Sequence, residues 1–265
     1  MRLDMYLAEN GFVSSRTRAL DLIKKGSALV NGKTVTKPSY NVGEADEVTL
    51  ADQEDKYVSR AAHKLLYAKE AFGICFEGLV AADLGASTGG FCQVMLESGI
   101  DEIFAVDIGH GQLHESIKAD RRVHLLEGVN ARYIDVDTLG KNVDIVTADL
   151  SFISQTLVLE GVSRILKESG IYIGLIKPQF EAGRANIGKN GVVKDKRVHA
   201  DVIEKVIFCA NSLGLVCRKL DVSPIEGGDG NREFLAYYTF ENKPGDIPSR
   251  KEIEIIADRG LPNDG

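Results

Sequence analysis

The sequence predicts an α/β protein, with a mostly parallel sheet covered by helices on both faces and a small α+β domain ahead of it. Three observations carry this reading. Apolar strand-like runs alternate with amphipathic helical stretches from about residue 71 onward. Within that alternation, Ala81-Ala82-Asp83-Leu84 runs directly into Gly85-Ala86-Ser87-Thr88-Gly89-Gly90-Phe91, a strand entering a glycine-rich turn, which is how α/β proteins hold nucleotide-like ligands. The net charge of −7 is also unevenly spread: residues 1–43 carry +4 and the remainder −11. A chain of 265 residues has room for one α/β domain and something smaller.

In chain order, residues 2–10 are expected to form a short helix stopped by Gly11, with Leu3 and Leu7 one turn apart on its buried side. A second helix follows, capped by Ser14 or Ser15 and ended by Gly26. At 100° per residue Ala19, Leu20 and Ile23 share its inner face, which leaves Arg18, Lys24 and Lys25 outward. Ala28 to Val30, the pair Asn31-Gly32, and Lys33 to Val35 spell a β-hairpin, because Asn-Gly suits the two positive φ angles of a type I′ turn. Residues 47–50 add a last strand. Residues 1–50 thus form the first domain, and the polar stretch 51–57 is the expected linker to a second domain over 58–265.

In that second domain an alanine-rich helix is expected from Ser59 to about Ala71. Strands are expected at 79–84, 102–107, 124–127, 144–149, 170–176, 216–222 and 234–240, with helices at 91–98, 155–168 and 196–213 between them. Ser249-Arg250-Lys251-Glu252 reads as a capping box ahead of a terminal helix.

The bulk properties narrow the function classes. The four cysteines show no metal-ligand or redox spacing, which fits a reducing compartment. The sequence lacks the apolar core of a signal peptide, and no apolar run approaches the ~18 residues of a membrane span, so a soluble cytoplasmic protein is expected. No metal is expected either: His110 and His114 are four apart but lack the glutamate of H-E-x-x-H.

Chemistry is expected along one edge of the sheet. Asp83, Asp107, Asp149 and Lys177 all fall at the C-terminal ends of predicted strands, and in an open parallel sheet those ends share the edge where ligands bind. The turn is neither the dinucleotide pattern G-x-G-x-x-G, since position 87 is serine, nor a phosphate-binding loop, since no Gly-Lys-Ser/Thr follows. Asp107, twenty-two residues after Gly85, is placed to accept hydrogen bonds from both hydroxyls of a ribose. Asp83 is placed to face an ammonium or a sulfonium. Together these suit an adenosine-containing cofactor without a pyrophosphate, held by Asp83, Gly85, Ala86, Ser87, Thr88, Gly89, Gly90, Phe91, Asp107 and Asp149. Lys177 precedes Pro178, which favours an extended backbone there and projects the side chain over the site.

Two resemblances attach to these residues. Two helices followed by an Asn-Gly hairpin resemble the small RNA-binding domain, often called the alpha-L motif, shared by ribosomal protein S-four, pseudouridine synthases and tyrosyl-tRNA synthetases. That implies RNA contact by Arg16, Arg18, Lys24, Lys25 and Lys33, although a solvated helix face explains the same charges. The second covers nearly the whole chain. Tyr57 to Leu65, Asp83 to Phe91, Val106 to Leu113, Asp149 to Phe152, Lys177 to Glu181 and Gly230 to Phe234 resemble the TlyA family of FtsJ-related, S-adenosylmethionine-dependent ribosomal RNA 2′-O-methyltransferases. A glycine is common in that family where Ala61 or Ala62 stands, and the loop 226–229 is more acidic than its usual form.

This resemblance implies a Rossmann-like class I methyltransferase sheet, ribosomal RNA or ribosomal particles as partner, methylation of a cytidine ribose, and a catalytic set Lys64, Asp149, Lys177 and Glu233. A 2′-hydroxyl is a weak nucleophile, so the site needs a base and firm positioning. Lys177 is the expected base, with Lys64⁺ favouring its neutral form and Asp149 and Glu233 opposing. The glycine-containing basic segment 182–197, with Arg184 and Lys189, is expected to be a mobile loop that clamps RNA phosphate or is simply solvated. A nicotinamide-dependent dehydrogenase, a membrane-active haemolysin and a noncatalytic RNA-binding assembly factor are the rival readings.

Overall fold

The computed structural model describes every residue except 14, 25, 44, 51–56, 189, 228–229, 241–246 and 262–265. The expected RNA contacts Lys25 and Lys189, and nearly all of the expected linker, lie outside the described residues. The chain divides into two compact units, Met1–Lys56 and Tyr57–Gly265.

In the first unit α1 (Leu3–Glu9) and α2 (Arg16–Lys24) precede a three-stranded antiparallel sheet of order β2-β1-β3, formed by β1 (Ala28–Val30), β2 (Lys33–Thr34) and β3 (Val48–Leu50). Leu3 and Leu7 are fully buried, as their one-turn spacing requires. The inner face of α2 differs from expectation by one position: Ala19, Leu22 and Ile23 are buried, whereas Leu20 is half-buried. The i, i+3, i+4 set 19-22-23 is the tighter stripe, and it carries the core. Ser15 caps α2 by accepting from the Arg18 N–H at 3.2 Å. Asn31 and Gly32 take φ of 52° and 73°, the type I′ turn their sequence specifies.

The second unit begins with α3 (Ala62–Phe72) and continues β4 (Val80–Leu84), α4 (Gly90–Glu97), β5 (Glu102–Asp107), α5 (Glu115–Lys118), β6 (Val123–Glu127), α6 (Val136–Leu139), β7 (Val143–Ala148), α7 (Leu159–Ile165), β8 (Leu166–Ile176), α8 (Pro178–Glu181), α9 (Lys196–Ser212), β9 (Leu215–Val222), β10 (Phe234–Phe240) and α10 (Arg250–Asp258). Among the described residues its seven strands lie in the order β6-β5-β4-β7-β8-β10-β9. All neighbours are parallel except at β10, which runs antiparallel to both β8 and β9.

Alternate strand residues feed two cores. Ala82, Leu84, Val146 and Ala148 pack with Val162 of α7, Ile203 of α9 and Ile253 of α10, while Ala81, Ile103 and Ile145 pack with Leu65 of α3, Met95 of α4 and Ile117 of α5. Helices therefore cover both faces.

The expected helix over 155–168 is shorter in the structure. A 3-10 turn spans Gln155–Leu157, α7 stops at Ile165, and Leu166 is already extended and paired with Val143. The run Leu166-Lys167-Glu168 has good helical propensity, but the open edge of β7 offers it backbone partners, and pairing outweighs propensity. Likewise α3 starts at Ala62 rather than Ser59; Ser59 accepts from the Ala61 N–H at 3.0 Å in a preceding turn. The capping box of α10 is present, with Ser249 and Glu252 each satisfying the other's backbone N–H.

Candidate active site

The strand ends converge as the sequence implies. Asp107 is the last residue of β5, Asp149 follows β7, and Lys177 follows β8 with the extended backbone (φ −114°, ψ 101°) that Pro178 demands. Glu233 reaches the same edge from the other direction. Because β10 is antiparallel, Phe234 pairs with Ile176, so the residue before β10 lies level with the residue after β8. Lys64 comes from the first turn of α3.

These four side chains form an alternating ring of charge. Lys64 Nζ donates to Glu233 Oε2 at 2.7 Å and to Asp149 Oδ2 at 3.1 Å. Lys177 Nζ lies 2.5 Å from Asp149 Oδ1 and 3.9 Å from Glu233 Oε1. Lys64, Lys177 and Glu233 are all buried. Buried charges are tolerated only when matched, and two cations facing two carboxylates meet that condition. Burial by itself would lower Lys64, but the carboxylates of Asp149 and Glu233 overcome it and raise the ammonium above its ordinary value. Burial would raise Asp149, yet Lys64 and Lys177 hold it below the ordinary carboxylate range.

The ring opens onto a cavity of about 560 Å³ that is also lined by Asp83, Gly85, Ser87, Gly90 and Phe91. A second cavity of similar size shares Gly85, Ser87 and Asp149 with it and extends to Asp107, Gln112 and Asn130. Glycine is required at the turn between them. Gly85 has φ +81°, and a Cβ there would stand 3.2 Å from the Asp149 carbonyl oxygen; Gly89 has φ +93°. A Cβ on Gly90 would meet Ser59 Cβ at 3.0 Å and the Ala62 backbone nitrogen at 3.1 Å, so the first residue of α4 abuts the turn that leads into α3 beside the site.

Asp83 is only 1% exposed, with its oxygens accepting from Thr147 Oγ1 at 2.8 Å and Cys92 Sγ at 3.2 Å. Burial, reinforced by Asp149 and Asp107 and opposed by those two hydrogen bonds, pushes its carboxyl up to about 6. A carboxylate held at this cost beside a cavity is suited to a cationic ligand group. Asp107 is anchored by backbone amides: Oδ2 accepts from Ser87 N–H at 2.8 Å and Oδ1 from Gly109 N–H at 2.7 Å. Phe91 is buried in the core next to the turn, while Ser87 and Thr88 are exposed and Ala86 is buried. This donor set, two carboxylates flanking a glycine cradle, fits the adenosine-type cofactor expected from the sequence.

Several lining residues had no assigned part in the sequence reading. Gln179 donates to Glu233 Oε1 at 3.3 Å, Ser151 Oγ accepts from Lys177 at 3.4 Å, and Gln112 lines the second cavity. Asn231, buried, accepts from the Val193 N–H at 3.2 Å and donates to the Gly191 carbonyl at 3.1 Å. The segment 182–197, expected to be a mobile loop, is thus fastened at Gly191 and Val193, and Arg184 lies exposed in its 3-10 turn. All four residues fall within motifs noted above, which is the signal that marks them; their partners are set only by the fold.

In the first unit Arg16, Arg18, Lys24 and Lys33 are exposed. Arg16 also pairs with the buried Asp4 at 2.8 Å, alongside Arg2 at 2.9 Å. The Arg2 hydrogen bond, with help from Arg16, outweighs burial and holds the Asp4 carboxyl down at about 2. Among the described residues no group of His, Cys, Asp or Glu is arranged to hold a metal ion, and no helix is long and apolar enough to cross a membrane.

Comparison with known proteins fits both units. Residues 57–240 match the model of FtsJ-like methyltransferases, and residues 1–48 match that of the S4 domain. The chain is 39% identical over 237 residues to the 16S/23S rRNA (cytidine-2′-O)-methyltransferase TlyA of Mycobacterium tuberculosis, covering 89% of this chain and 88% of that one. It is 36% identical over 243 residues to Hemolysin A of Brachyspira hyodysenteriae, covering 90% and 99%. A solved structure of a hemolysin-named protein from Streptococcus thermophilus superposes with a TM-score of 0.77 at 36% identity, covering 97% of this chain and 94% of the other.

Proposed function

We propose, from the premise that the chain belongs to the TlyA group of FtsJ-like methyltransferases and carries an S4 domain at its N-terminus, that it transfers a methyl group from S-adenosylmethionine to the ribose 2′-hydroxyl of a cytidine in ribosomal RNA. The observation that carries this reading is the ring of Lys64, Asp149, Lys177 and Glu233, three of them buried, beside a glycine cradle. The division into residues 1–50, a linker over 51–57 and residues 58–265 is the domain plan we assign. A cytoplasmic location, where ribosomes are found, belongs to the same reading.

Each residue then has a task. When bound, S-adenosylmethionine supplies a methyl group on a sulfonium, open to in-line attack. Asp83 and Asp107 flank the cradle, where Gly85, Ala86, Ser87, Thr88, Gly89 and Gly90, followed by Phe91, let the backbone approach the ligand closely. Lys177 takes the 2′-hydroxyl proton at Nζ. Lys64 is unsuited to that task, because Asp149 and Glu233 hold it as an ammonium; it orients the ribose and its phosphate instead. Asp149 fixes both lysines, and Glu233 fixes Lys64. Positioning of this kind removes much of the entropic part of the barrier, and the base adds roughly 10²–10⁴-fold. Arg16, Arg18, Lys24, Lys25 and Lys33 of the S4 domain, with Arg184 and Lys189, supply phosphate contacts.

The test is incubation of ribosomal subunits with labelled methyl donor, followed by mapping of alkali-resistant 2′-O-methyl positions. A modified cytidine is expected. Bound RNA with no methyl transfer would favour the noncatalytic assembly factor instead.

A further inference from the structure

We propose that Glu181, a carboxylate outside the charged ring, is a positioning residue that locks the Asp149 loop onto the Lys177 loop by hydrogen-bonding Ser154 and Gln155. The catalytic part of this inference rests on the function proposed above. Glu181 ends α8, the single turn that starts one residue after Lys177. Its side chain is 1% exposed, and both of its oxygens reach across to the segment that follows β7. Oε1 accepts from the Gln155 backbone N–H at 2.5 Å, and Oε2 accepts from Ser154 Oγ at 2.6 Å. Lys205 of α9 supplies a counter-charge, with Nζ 3.6 Å from Oε2, and also donates to the Glu181 carbonyl at 3.2 Å.

The segment so held is one that resists its own conformation. Between Asp149 and Ser154 the chain turns through Phe152, which takes φ +64° while its side chain is 92% exposed. A left-handed aromatic residue costs free energy and persists where its flanks impose it. Upstream the flank is Asp149, gripped by Lys64 and Lys177. Downstream it is Ser154 and Gln155, gripped by Glu181. Ser154 is itself the cap of the 3-10 turn that follows, accepting from the Thr156 N–H. One carboxylate therefore fixes the far end of the turn to the helix that directly follows Lys177. A buried carboxylate is expensive unless fully matched, and Glu181 is matched by groups whose shared effect is to set the spacing of Asp149 from Lys177.

Glu181→Ala, Glu181→Gln, Ser154→Ala and the Ser154→Ala/Glu181→Ala double variant of the full chain decide this, through steady-state methyl transfer to ribosomal subunits and amide hydrogen exchange of the free protein. Glu181→Ala is expected to lower kcat about 30-fold, with KM for both substrates within about threefold, since misplacement of reacting groups is felt in the transition state. Glu181→Gln keeps an acceptor for Gln155 and recovers about tenfold of that loss. The double variant is no slower than Glu181→Ala, as two ends of one bridge require. Exchange of amides 150–155 quickens about tenfold in Glu181→Ala while the sheet is unchanged. An unchanged kcat in Glu181→Ala, or exchange that quickens equally across the sheet, overturns the proposal. Should Glu181→Ala not fold, Ser154→Ala and Glu181→Gln are each expected to lower kcat about threefold, and wild-type rates in both overturn it. A wild-type protein that methylates no RNA sinks the functional reading instead, and the exchange data then decide on the latch alone.

Discussion

Lys64 and Lys177 sit in one ring of charge, yet their surroundings separate their tasks. Lys64 faces two carboxylates within 3.1 Å, whereas Lys177 has one close partner and a second at 3.9 Å. Lys177→Ala is expected to lower kcat by about 10²–10⁴-fold in labelled methyl transfer with cofactor affinity kept, and Lys177→Arg to give no rescue, since a guanidinium does not act as a base near neutral pH. Asp83 gives a pH prediction. Burial raises its carboxyl from an ordinary 3.8 to about 6, so folding takes up a proton between those values. The stability it contributes is complete below pH 3.8, declines as pH rises and is lost above 6, leaving the ionised group at a cost of about 3 kcal/mol. Asp83→Asn should therefore raise the melting temperature at pH 7.5 but not at pH 4, and weaken S-adenosylmethionine binding by calorimetry.

At the scale of elements, the cofactor turn and the terminal helix make opposite predictions. Gly85→Ala places a side chain at φ +81° and 3.2 Å from the Asp149 carbonyl, which strains the backbone by roughly 1–2 kcal/mol and pushes β4 away from the Asp149 loop. Cofactor affinity is expected to fall at least tenfold, and an affinity within twofold of wild type would show that the turn has room to relax. Ser249→Ala removes one half of the capping box of α10 and should cost about 1 kcal/mol of stability by denaturant unfolding, with kcat unchanged. The elements most legible in the sequence were those with local causes: the Asn31-Gly32 turn, the Ser249 cap and the Lys177-Pro178 strand end. The helix expected over 155–168 ended early because Leu166 is recruited by Val143 of a strand more than twenty residues away.

For the whole molecule, the charge division seen in the sequence frames how an acidic protein meets RNA. Phosphate contacts add through counterion release, with each contact contributing about 0.7–0.9 to the salt slope. Replacing Arg18, Lys24 and Lys33 together by alanine is expected to weaken binding to ribosomal subunits at least tenfold and to flatten the salt dependence by about two, with kcat at saturation preserved. An unchanged slope in a filter-binding titration would remove these residues from the RNA contact. Strand alternation and the glycine-rich turn sufficed for the layered α/β architecture, because period-two and period-3.6 patterns are written locally. They also sufficed for Asp107, Asp149 and Lys177 at one edge, because parallel strands bring all their C-terminal ends together.

The parallel core, the cofactor turn and the presence of two unlike units are written in the chain, since each follows from short-range spacing and composition. The assembly of the chemistry emerges with the packed fold. Glu233 joins the ring because β10 runs antiparallel and starts where β8 ends, and Lys64 joins it from a helix 85 residues before Asp149. Distances between such groups depend on strand direction, register and helix packing across the whole sheet, and those are settled by burial of a common core rather than by any local pattern.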